Sequence, residues 1–84
     1  MNTNSTKNIK IQIKGLVQGV GFRPFVYRTA IKNNISGWVK NRQDGLIIEA
    51  SAGFSEIESF INCIKSDYPV AAKIKNIEIS NSRN

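Results

Sequence analysis

The chain has 84 residues, 40% of them hydrophobic, with 12 Lys and Arg against 6 Asp and Glu, one Cys and no His. That length supports one small domain with a single thin core, and the composition excludes a zinc site, a Ser–His–Asp triad, a Cys–His pair and an internal disulfide. The net charge of +6 is uneven, because residues 1–43 carry eight basic side chains and no acid while residues 44–84 carry four basic and six acidic ones. With a polar start and no apolar run near the ~20 residues of a bilayer span, the expectation is a soluble cytoplasmic domain, without a membrane partner, that handles an anion.

Ile9, Ile11 and Ile13 alternate with Lys10, Gln12 and Lys14, which predicts a half-buried strand with a basic outer face. A glycine-rich stretch, Gly15-Leu16-Val17-Gln18-Gly19-Val20-Gly21, interrupts it. Phe22, Val26 and Ala30 then recur at four-residue spacing, predicting a helix from Pro24 to about Asn33, with Asn33-Asn34 and Gly37 as its stop. Ser36 to Asn41 reads as a second strand, Asp44-Gly45 as a hairpin turn and Leu46 to Ser51 as the returning strand. Ser55 and Glu58 have capping-box spacing, and Ile57, Phe60, Ile61 and Ile64 behind them form an amphipathic helical stripe that ends before Pro69. Ile77 and Ile79 mark a last strand, and Ile74, one residue out of phase, predicts a bulge or a late strand start.

The order βαββαβ predicts an α+β sandwich of ferredoxin-like type: a four-stranded antiparallel sheet with both helices on one face. Residues 8–80 form the domain in this reading, with a flexible tail at 1–7 and a loose end at 81–84. RNA-recognition modules share this topology, but they stack bases on aromatics of the two central strands. Ile9–Lys14 and Leu46–Ser51 contain none, so RNA binding is the weaker alternative and no nucleic-acid partner is expected.

The chemistry-bearing stretch is Gln18-Gly19-Val20-Gly21-Phe22-Arg23. Two glycines let the backbone turn successive N–H groups inward just before a helix N-terminus, an arrangement that suits a phosphate-sized anion. Arg23 at the junction can clamp two of its oxygens. The alternative is an ordinary strand-to-helix turn with a solvated Arg. The stretch lacks the Lys-Ser/Thr of a P-loop and the third glycine of a dinucleotide fingerprint, so neither applies. Asn41, which ends its strand just before the turn, can hold a water through its amide, or can simply stabilise the turn. Asp44 reads as a turn residue, Cys63 as a buried inert thiol and Trp38 as a packing residue. Glu49 and Glu78 read as outer-face carboxylates with no acid–base partner. Lys10, Lys14, Lys32 and Lys40 read as a solvated field drawing a small dianion inward.

Gly15 to Arg23, followed by Gly37-Trp38-Val39-Lys40-Asn41 and Asp44-Gly45, resembles the two signature segments of the acylphosphatase family, over residues 8–79. The resemblance implies hydrolysis of the carboxyl–phosphate bond of acyl phosphates, releasing inorganic phosphate, without metal, cofactor or covalent intermediate. It implies that the loop Gln18, Gly19, Val20, Gly21, Phe22 and Arg23 holds the phosphate while Arg23 and Asn41 are catalytic, Asn41 orienting the attacking water. Arg23-Pro24-Phe25-Val26-Tyr27-Arg28, Ile47-Ile48-Glu49 and Pro69 to Ile74 are similar to the N-terminal acylphosphatase-like domain of hydrogenase-maturation carbamoyltransferases. That likeness implies carbamoyl phosphate as a substrate and the downstream domains of such an enzyme as partners. Arg42 departs from the Thr that many free-standing members carry after the Asn, whereas Trp38 is more typical of free-standing members.

Overall fold

A computed structural model describes residues 6–82 of the chain. Six elements follow one another: β1 (Thr6–Leu16), α1 (Phe22–Lys32), β2 (Ser36–Arg42), β3 (Gly45–Gly53), α2 (Phe54–Asp67) and β4 (Lys73–Asn81). The strands pair antiparallel in the order β2-β3-β1-β4, so the two strands first joined by a hairpin lie at one side and β1 sits inside the sheet. This is the ferredoxin-like architecture that the element order predicts. None of its helices among the described residues is long and apolar enough to cross a membrane.

Strand alternation decides which face is covered. Ile9, Ile11 and Ile13 of β1 stand opposite Ala50, Ile48 and Leu46 of β3, and all six are buried beneath the helices. α1 contributes Phe22, Phe25 and Val26, and α2 contributes Ile57, Phe60 and Ile64, to the same core. Phe25 and Thr29 join the buried face of α1, which is wider than the column Phe22–Val26–Ala30 read from the sequence. Thr29 is tolerated there because its hydroxyl donates to the Phe25 carbonyl one turn back, at 2.8 Å.

The stop of α1 falls where the paired asparagines predict it. Asn34 takes a positive φ of 58°, and the Ile35 and Asn34 N–H groups return to the carbonyls of Ala30 and Ile31 at 2.9 and 3.2 Å, closing a Schellman motif. Ser59 of α2 donates to the Asn33 side chain at 2.7 Å and ties this end to the second helix.

Four boundaries differ from the sequence reading. The helix α1 starts at Phe22, ahead of Pro24. The hairpin turn falls on Gln43-Asp44, because Gly45 is drawn into pairing with both Arg42 and Lys14. The expected Ser55–Glu58 capping box does not form: β3 runs straight to Gly53, α2 begins at Phe54, and Ser55 is already inside the first turn. The ends are also better ordered than a tail implies, since Thr6 and Lys7 pair with Gly53 and Ala52, Asn81 pairs with Ile9, and the Ser82 N–H reaches the Asn8 carbonyl at 2.8 Å. The rest of the expected loose ends, 1–5 and 83–84, lies outside the described residues. The phase break at Ile74 is a β-bulge: Lys14 faces Asn76 and Gly15 faces Ile74, leaving Lys75 over.

Candidate active site

The loop between β1 and α1 is built by alternating anchors and glycines. Val17 and Phe22 are buried and Val20 packs against the core, so the loop is pinned at three points. Between these anchors Gly19 and Gly21 take φ of 76° and 82°, values that an L side chain reaches only at a cost of about 1–2 kcal/mol. A Cβ at either glycine would meet nothing within 4 Å, so glycine is required here by backbone conformation alone. The open space also means that the loop backbone faces a volume an external group can enter.

Gly21 is the N-cap of α1 and offers no side-chain cap, and no acid stands in the first turn. Among the described residues the backbone N–H groups of Gln18 to Arg23 make no backbone hydrogen bond of good geometry. A helix start left in this state carries unpaired donors and the positive end of the helix dipole. Arg23, exposed on the first turn, adds a guanidinium to the same end. The ensemble is suited to a compact, multiply charged anion.

Gln18 is the residue whose role is least legible from sequence. Its side-chain amide donates to the carbonyls of Arg42 and Gly45, the latter at 3.0 Å, and the Gly15 N–H reaches the Asp44 carbonyl at 2.9 Å. The loop is thereby clamped to the β2–β3 hairpin, twenty-four residues or more along the chain. A side chain donating both its N–H groups to the hairpin positions the loop rather than turning that amide toward a ligand. No local pattern announces such a partnership.

The hairpin so clamped carries Asn41. The β2–β3 register pairs Gly37, Val39 and Asn41 with Ala50, Ile48 and Leu46, all buried on the helix-covered face. Asn41 therefore stands on the α1 side of the sheet, exposed, one residue before the Arg42 carbonyl that Gln18 holds. Asn41 thus lies on the same side of the sheet as α1, in the hairpin to which Gln18 fastens the glycine loop that leads into Arg23.

Trp38 is half exposed on the open face of the edge strand, where it packs with Lys40, whose ammonium lies 5.6 Å from its ring. By register Lys10, Lys14 and Lys40 stand on that same open face, across the sheet from Asn41, and Lys32 ends α1, so any action on an anion at the loop is through the field and not by contact. Cys63 is partly exposed on α2 rather than buried. Glu49 does lie on the outer face, where the Ser82 hydroxyl donates to its carboxylate at 2.6 Å.

Comparison with known proteins bears on the family and the fold. A probable carbamoyltransferase HypF from Methanocaldococcus jannaschii is 45% identical over 71 residues, spanning 84% of this chain and only 9% of that protein. An acylphosphatase from Bacillus subtilis is 41% identical over 75 residues, spanning 88% of this chain and 81% of that one. The crystal structure of full-length HypF in its phosphate- and nucleotide-bound form superposes with a TM-score of 0.94 at 38% identity, covering 99% of this chain and 11% of the other. The chain thus spans about a tenth of one kind of relative and most of the other. The Acylphosphatase family model matches residues 9–84, and the chain belongs to the acylphosphatase family.

Proposed function

We propose that the protein hydrolyses acyl phosphates to carboxylate and inorganic phosphate. The observation that carries this reading is the uncapped, acid-free start of α1 behind Gly19 and Gly21, with Arg23 on its first turn and Asn41 on the same side of the sheet. In this reading the loop N–H groups from Gln18 to Arg23 and the Arg23 guanidinium bind the phosphoryl oxygens and stabilise the charge they gain. Asn41 accepts a hydrogen bond from a water and holds it in line with phosphorus. The water oxygen bonds to phosphorus, the P–O bond to the acyl oxygen breaks with its electron pair, and the water's proton passes to the product phosphate. A carboxylate is a good leaving group and needs no general acid, so positioning and preorganised donors suffice. Curated acylphosphatases at 38–41% identity over most of the chain support the same reading.

Wild type, Arg23→Gln and Asn41→Ala assayed on acetyl phosphate test it. Loss of Arg23 is expected to lower kcat/KM by about 10²–10³-fold or more, the scale for one preorganised donor. Loss of Asn41 is expected to lower kcat more than it raises KM, because the water is needed only for the chemical step. Near wild-type turnover by Arg23→Gln would sink the proposal.

A second reading is favoured by the likeness to HypF over a tenth of its length. On this view the chain is the carbamoyl-phosphate-handling part of a carbamoyltransferase, working beside that enzyme's further domains. Turnover of carbamoyl phosphate well above that of acetyl phosphate would favour it.

A further inference from the structure

A groove of about 680 Å³ runs along the flank of α1 toward the edge strand β2. Its floor is Val26, Ile48 and Phe60, all buried, and its sides are Ile31 from α1 and Ile35 and Val39 from the β2 side. One end is lined by Arg23. Asn41 does not line the groove, but it stands two residues beyond Val39 on the same face of β2, toward the end of β2 that Gln18 fastens to the loop before α1. From Arg23 to Ile31 the helix rises roughly 12 Å, the length of the apolar track.

We infer that this groove receives the acyl group of the substrate and selects extended apolar acyl phosphates over acetyl and carbamoyl phosphate. The inference rests on the phosphohydrolase reading and adds the direction in which the substrate leaves the phosphate site. A phosphate held by the loop and Arg23 must point its acyl oxygen away from those donors. The surface available there is mostly apolar, although Ser36 and Glu49 also line it: Ile31 is 64% exposed, and the half-buried Ile35 and Val39 pack at the core's margin. An apolar chain laid along them removes its own surface and theirs from water. A carbamoyl group, small and hydrogen-bonding, gains nothing from these walls.

The test is a homologous series from acetyl to hexanoyl phosphate, with carbamoyl phosphate alongside, on wild type and on Ile31→Asn and Val39→Thr. Burial of a methylene is worth about fourfold when complete and about twofold when one side stays wet. Wild-type kcat/KM is therefore expected to rise at least about 15-fold over the four added methylenes, and both variants are expected to lower the hexanoyl-to-acetyl ratio several-fold. Ile31 is exposed, so Ile31→Asn keeps the core intact and reads the groove rather than folding. A flat series with sound acetyl phosphate turnover overturns the groove assignment and leaves the phosphohydrolase reading standing. A steep series that neither variant flattens overturns it too, by putting the chain elsewhere. Sedimentation as a dimer that Ile31→Asn dissolves would fill the groove with a second copy and overturn the assignment as well. Failure to hydrolyse every member, acetyl phosphate included, sinks the underlying reading itself.

Discussion

The two helices of this small domain start in opposite electrostatic conditions. Each follows a glycine and neither has a side-chain hydrogen bond at its cap. At α2, Gly53 is extended, with φ −68° and ψ 164°, and the third helical residue is Glu56. The Glu56 carboxylate folds back over the cap: a Cβ on Gly53 would stand 2.6 Å from its Oε1. At α1, Gly21 is left-handed, with φ 82° and ψ 14°, and the first turn carries Arg23 and Pro24 instead of an acid. One helix thus meets its own positive end with an internal carboxylate, and the other leaves that end open and adds a cation. An open, positively charged helix start is left to water in the free protein and is stabilised further when an anion from outside meets it. The contrast between the two starts therefore bears on ligand binding.

The largest effect on this comparison is expected from Gly21 itself. Gly21→Ala should cost about 1–2 kcal/mol in urea unfolding, because alanine resists the left-handed conformation. Gly21→Asn should recover much of that loss, since Asn visits this region more readily and the space around the residue is empty. Equal losses for the two variants would mean that crowding rather than backbone conformation demands glycine.

Next in size is an exchange of character between the helices. Pro24→Glu installs at the third position of α1 the kind of acid that α2 carries. Product inhibition by inorganic phosphate should weaken by about threefold to tenfold, because an internal carboxylate then competes for the same donors and field. An unchanged inhibition constant would show that the start of α1 contributes nothing to anion binding.

The sequence makes the open helix start legible and leaves its closed counterpart hidden, for physical reasons. Gly19, Gly21 and Arg23 are adjacent in the chain, so local backbone rules suffice to bring them together. The element order and the core residues are equally local, since Ile9-x-Ile11-x-Ile13 and Ile57, Phe60, Ile64 report strand and helix periods directly. Ser55 with Glu58 matches a capping box and yet the cap lies two residues earlier. What moves it is the pairing of Gly53 with Thr6, a contact across the whole domain that carries β3 farther than its own residues suggest. Gln18 is hidden for the same reason, because its partners Arg42 and Gly45 become neighbours only when the sheet forms. Which face Trp38 packs on is set by its place in the alternation of an edge strand, which puts it on the open face. Local chemistry and local periods are readable, and the long-range pairings that set the start of α2 and the partners of Gln18 are not.

The smallest expected effect is at α2, and it is the control the comparison needs. Glu56→Gln keeps the shape of the side chain and removes its charge. If Glu56 serves the helix dipole, urea unfolding should show a loss of about 0.3–1 kcal/mol that shrinks as salt is raised. Acyl phosphate turnover should stay at the wild-type level, because Gly53 and Glu56 belong to the helix start that is already complete. The pair Pro24→Glu and Glu56→Gln then separates two meanings of one structural feature. A carboxylate added at α1 should act on the ligand, whereas a carboxylate removed from α2 should act on the fold. If Glu56→Gln instead changed phosphate inhibition as much as Pro24→Glu, the two helix starts would share one diffuse field, and the open end of α1 would lose its claim to be a local site.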